Sequence, residues 1–174
     1  MAGRKDELLS AVRHGTPELV RALALTGADI DECGSEALKE AINAERPEML
    51  EMLISLGADI TENRAAVAPE KRKAADYLTL NLLETYVLHK IATADSDTLS
   101  PKTLSVASVL LRNGLTLRDN MELILMAPTI MATPEMFEKH VKMLEQVRSI
   151  GSRIDSLNRE DSAHVSECVP DFNI

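Results

Sequence analysis

The four letters Gly-Ala-Asp-Ile occur twice in this chain, at 27–30 and 57–60, thirty positions apart. Internal repetition constrains a fold more than any composition, because each copy must solve the same burial problem. The match extends well beyond the four letters. When residues 8–30 are laid over 38–60, Leu8 meets Leu38, Ala11 meets Ala41 and Val12 meets Ile42. Pro17 and Glu18 meet Pro47 and Glu48, and Leu19, Val20 and Leu23 meet Met49, Leu50 and Leu53. Each copy therefore holds two apolar stripes with a break between them.

The first stripe, Leu8, Ala11 and Val12, has helical spacing and stops near Gly15. Thr16 then offers an N-cap, with Pro17 at the first helical position and Glu18 in the first turn, where negative charge suits the helix dipole. The second stripe runs Leu19, Val20, Leu23 and ends at Gly27, a natural left-handed stop. Each unit is two short antiparallel helices, neither of which can bury its stripe alone. Stacking such units makes one continuous core.

These residues resemble the ankyrin-repeat family: ELLSAVRHGTPELVRALALTGADID and EALKEAINAERPEMLEMLISLGADIT carry its inner-helix alanine, outer-helix hydrophobics and GAD-type turn in order. The resemblance is clear over 6–60 and degenerate over 83–154. The chain departs from the family in three ways. The usual Thr-Pro-Leu-His start is missing, the thirty-residue interval shortens the loop DIDECGSE, and Glu45 stands where the family prefers glycine.

Two degenerate units follow. LETYVLHKIATA (83–94) reads as an inner helix and PKTLSVASVLLRNGLTL (101–117) as an outer one that ends at Asn113-Gly114, with GLTL replacing GADI. DNMELILMA (119–127) and TPEMFEKHVKMLEQVRSIGSRI (133–154) make the next pair, with Gly151 ending the last helix. The expected fold is all-α, an ankyrin-like solenoid of about four helix-turn-helix units in one domain. The repeats span about 6–34, 35–64, 83–118 and 119–154, with an irregular insertion at 61–81 and a polar tail at 155–174.

Charge and composition narrow the function. The net charge of −9 disfavours a nucleic-acid binder, which needs a basic stripe, and disfavours an anionic membrane surface. Tryptophan is absent and there are eight methionines, a composition suited to closely stacked helices. Two distant cysteines, Cys33 and Cys168, make no disulfide framework, and no apolar run reaches transmembrane length. A cytoplasmic protein is expected, or a translocated effector without a signal peptide.

No phosphate-cradling glycine loop and no HExxH or GxSxG motif occurs, and the histidines at 14, 89, 140 and 164 are scattered. No enzyme, cofactor or metal is expected. The acidic run Asp29, Asp31, Glu32, Glu36 reads as the first inter-repeat loop: a negative finger for a basic partner, or a solvated turn. Cys33 falls at its tip, where exposure is expected. The Lys71-Arg72-Lys73 cluster reads as a solvated helix turn, or as a dock for an acidic partner or a phosphate. Met121, Met126, Met131 and Met136 read as gap-filling core, or as an adaptable binding surface.

The resemblance implies a protein-interaction module whose concave face binds another protein. By that analogy the exposed pairs after the inner-helix apolar residues, Arg13, His14, Asn43 and Ala44, are contact candidates. The loop positions Glu32, Cys33, Ser35, Glu62 and Asn63 join them. The alternative is a small effector or inhibitor whose half 61–174 carries the activity. A monomer or weak homodimer is expected: the polar GRKDE start serves as a cap, and Met136, Phe137, Val141 and Leu144 at the other end are available for self-pairing.

Overall fold

The computed structural model describes residues 2–61, 80–118, 121 and 133–167. Among these every regular element is an α-helix: α1 (Ala2–His14), α2 (Pro17–Leu25), α3 (Ile30–Asn43), α4 (Pro47–Ser55), α5 (Leu82–Ala92), α6 (Pro101–Arg112) and α7 (Pro134–Glu167). The first two pairs form unit 1 and unit 2. Helix α1 packs on α3, and α2 packs on α4. The second row continues as α4 on α6 and α6 on α7, while α5 packs on both α6 and α7.

The two units are built alike because the same chemistry starts and stops their helices. Pro17 and Pro47 occupy first positions, and Pro101 does the same in α6. Thr16 accepts the Leu19 N–H at 3.4 Å, and Ser100 accepts the Thr103 N–H at 3.1 Å. The stops repeat too. Gly27, Gly57 and Gly114 have φ of 102°, 98° and 88°. In each case the next residue's N–H reaches back across the last turn: Ala28 to Leu23 O, Ala58 to Leu53 O, Leu115 to Leu110 O, at 3.0, 3.0 and 3.2 Å. This is the Schellman ending, and it needs a residue free to be left-handed. GLTL thus performs the turn that GADI performs.

The core is aliphatic and runs through both halves: Leu8, Leu38, Met49, Leu50, Leu53, Leu83, Ile91, Leu110, Met143 and Leu144 are all buried. Each such side chain contributes about 1.5–3 kcal/mol on leaving water.

Two expectations are corrected. The segment DIDECGSE is no loop. Asp29 accepts the Glu32 N–H at 3.0 Å and so caps α3, which begins at Ile30 and absorbs the whole acidic run. With a thirty-residue period, little chain is left to project between units, so it coils into the next inner helix. Nor does Gly151 end the last helix. Helix α7 is continuous for 34 residues to Glu167, so 155–167 extends that helix. A glycine inside a helix weakens it without breaking it. Of the apolar residues expected at that end, Leu144 is buried, Phe137 and Val141 are half-buried, and Met136 is exposed. Met121 is buried as expected; Met126, Met131, the Lys71–Lys73 cluster and most of 61–81 lie outside the described residues.

Candidate interaction surface

Helices α1 and α3 lie side by side, so their equivalent residues form neighbouring tracks. Arg13, His14, Asn43 and Ala44, at the helix ends, are all exposed. Arg13 is not free to meet a partner. Its guanidinium donates twice to Glu40 on α3, from Nε at 2.7 Å and Nη2 at 2.6 Å. Hydrogen bonds from Arg13 hold the Glu40 carboxyl below the usual range. Lys5 makes a second rung between the same helices, 2.7 Å from Glu36. His14, Asn43 and Ala44 remain as open side chains at this rim.

Glu32 is exposed, on the first turn of α3. Cys33, expected at an exposed loop tip, is 4% exposed: as the fourth residue of α3 it turns inward, and burial pushes its thiol pKa up. That is the opposite of an activated thiolate. Ser35 is half-buried within the same helix. Glu62 and Asn63 lie outside the described residues. The face therefore contains Arg13, His14, Glu32, Asn43 and Ala44, without the cysteine and without a projecting finger.

The turn between α3 and α4 carries more chemistry than its sequence advertises. Glu45 has φ of 51°, the only positive value at a non-glycine among the described residues. Its Oε1 lies 2.9 Å from Lys90 Nζ, accepts the Thr103 hydroxyl at 2.9 Å and accepts the Tyr86 hydroxyl at 3.4 Å. The Lys90 ammonium, then burial in the opposite sense, then the Thr103 hydroxyl set its pKa, which ends below the ordinary value. Burial pushes the Tyr86 phenol up. The next residue, Arg46, points the other way: it donates to Val12 O at 3.0 Å and Gly15 O at 2.8 Å, carbonyls at the end of α1. A cation there suits the negative end of the helix dipole. Glu45 thus reaches forward to α5 and α6, and Arg46 reaches back to unit 1.

A second ion pair, buried at its carboxylate, fastens the later half. Glu84, 1% exposed, receives Arg118 Nε at 2.8 Å, Arg118 Nη2 at 2.9 Å and the backbone N–H groups of Arg118 and Asn81 at 3.1 and 3.0 Å. Burial pushes its pKa up, but Arg118 and the two amides outweigh it and the net shift is down. Asn81 completes a capping box at the start of α5. His140 is buried in α7, 3% exposed, and its Nδ1 has no hydrogen-bond partner among the described residues. His89, by contrast, is exposed.

Among the described residues no three His, Cys, Asp or Glu side chains are placed to hold a metal ion, and no helix is long and apolar enough to cross a membrane. Comparison of the chain with protein-family models, with curated proteins and with solved structures finds no match.

Sequence reading missed the roles of Glu45, Arg46, Glu84 and Arg118. For Glu45 and Arg46 a signal existed: both break the thirty-residue register, standing opposite Gly15 and Thr16. A charged residue where a unit needs a turn former asks for a partner. Glu84 and Arg118 are 34 positions apart, and nothing local links them.

Proposed function

We propose that the chain is a non-enzymatic protein-interaction module, an ankyrin-like stack that receives a partner protein on the face made by α1 and α3. The observation that carries the reading is the register of the two units. Equivalent helices pack on each other at a thirty-residue interval and bring His14, Asn43 and Ala44 to one rim as open side chains. A rigid, repeated scaffold with solvent-facing residues at equivalent positions suits recognition by shape and polar complementarity. The ion pairs Arg13–Glu40 and Lys5–Glu36 keep the two tracks parallel. Fold alone selects no partner, so the assignment rests on this surface.

The test is affinity capture from native host lysate with mass-spectrometric identification, using wild type and His14→Glu/Asn43→Glu. Arg13 is left intact because its loss would also disturb Glu40. Capture of a discrete partner that the double variant loses, with its circular dichroism and melting midpoint unchanged, supports the reading. Equal capture by both proteins removes the α1–α3 face from it.

A further inference from the structure

The N-terminal end of the array carries an open slot. Its floor is Ala11 on α1 with Leu19 and Leu23 on α2, and Asp6, Glu7 and Ser10 form one wall. Leu19 is 47% exposed. The polar start expected to cap this end therefore leaves an apolar gap beside it.

The thirty-residue equivalence shows what such a gap accepts. Ala11, Leu19 and Leu23 stand in unit 1 where Ala41, Met49 and Leu53 stand in unit 2. Those three are 0% exposed, in an arrangement where α3 packs on α1 and α4 on α2. The polar wall repeats as well. Asp6 and Ser10 stand where Glu36 and Glu40 stand, and those two carboxylates hold Lys5 and Arg13 of the preceding unit at 2.7 and 2.6 Å. The slot thus repeats the interface between units 1 and 2, one period earlier. Glu7 is the difference: its equivalent, Ala37, is buried. Two carboxylates, Asp6 and Glu7, line the slot. They disfavour a second copy docked slot to slot, which would oppose like charges.

We propose that this slot is an interaction surface for a two-helix unit of another protein, stacked on unit 1 as unit 1 stacks on unit 2. Its occupant lays an apolar ridge over Leu19 and Leu23 and presents a lysine or arginine to Asp6 and Glu7. The surface adjoins the α1–α3 face at His14, which lines both, and is tested without changing that residue.

A duplicate of residues 1–30 placed directly before Met1 supplies such a unit in register, with its own Lys5 and Arg13 at the required period. The extended chain is expected to melt several degrees higher than the native chain, about 5 °C. Leu19→Asp in the original unit removes that gain while leaving the native chain's midpoint unchanged. Asp6→Lys in the original unit reduces the gain, and Lys5→Glu in the duplicate restores it. An unchanged midpoint, or a gain indifferent to Leu19→Asp, overturns the proposal. In sedimentation the native chain alone is expected to remain monomeric. A dimer that Leu19→Asp dissolves would put a second copy in the slot and overturn the assignment to a foreign partner.

Discussion

The turns at 14–16 and 44–46 occupy the same place in successive units, yet they invert the usual rule for glycine. The first has Gly15 and does not need its left-handed freedom, since Gly15 is absent from the positive-φ residues. It needs the missing side chain: a Cβ there would sit 2.7 Å from Ala11 O and 3.0 Å from Leu19 Cδ2. The second turn is left-handed and has Glu45 instead. A left-handed L-residue costs about 1–2 kcal/mol, and the carboxylate offsets this by meeting Lys90, Thr103 and Tyr86. The turn within unit 1 is shaped by space. The turn within unit 2 is shaped by what it holds on either side.

The largest effect is expected from Glu45→Ala. It keeps the left-handed strain, removes the carboxylate and strands three partly buried donors, for a loss of about 3 kcal/mol. Glu45→Gly relieves the strain and is expected to be milder by about 1 kcal/mol. If chemical denaturation finds the two variants equal, backbone strain at this turn is not a feature of the fold. Next comes Gly15→Ala, at about 2 kcal/mol, because the obstacle is the backbone of α1, which cannot move aside cheaply. Arg46→Ala follows, at about 1 kcal/mol, through its two carbonyl contacts with the end of α1.

Acid sharpens the comparison further. Glu45 and Glu84 have folded pKa values below the ordinary 4.5. The unfolded chain therefore binds their protons first as pH falls. Their contribution is complete above about pH 4.5 and is lost as pH drops through the folded values. Glu45→Gln should flatten that limb of a stability-versus-pH curve. His140 acts at higher pH. Burial first, then the neighbouring Lys139 charge, lowers its pKa below 6.5. The unfolded imidazole protonates before the folded one, so stability should begin to fall below about pH 6.5. His140→Leu should remove that early slope, and a curve that stays flat in wild type would contradict it.

These expectations divide along the line between what the sequence reveals and what it hides. The helices with Pro at the start and Gly at the end were legible, because caps and stops are local and repeat with the period: Thr16, Pro17, Gly27, Gly57 and Gly114 all act as their chemistry suggests. The exposure of His14, Asn43 and Ala44 was legible for the same reason, since they follow a buried stripe. Cys33 was misplaced because Asp29, a turn former in one reading, is a helix cap in the other. A short period decides between them only when the whole unit is fitted into thirty residues. Glu45 was visible as an anomaly and opaque as a function, since Thr103 lies 58 positions away and Lys90 lies 45 away. Long-range polar contacts have no period, so nothing repeats to announce them.

The central claim is that the α3–α4 turn locks the regular units to the later half through the Glu45 carboxylate. A double-mutant cycle on Glu45→Ala and Thr103→Ala, measured by chemical denaturation, tests it most directly. The account predicts a coupling of at least about 1 kcal/mol between the two sites. Losses that simply add, to within about 0.3 kcal/mol, would contradict it.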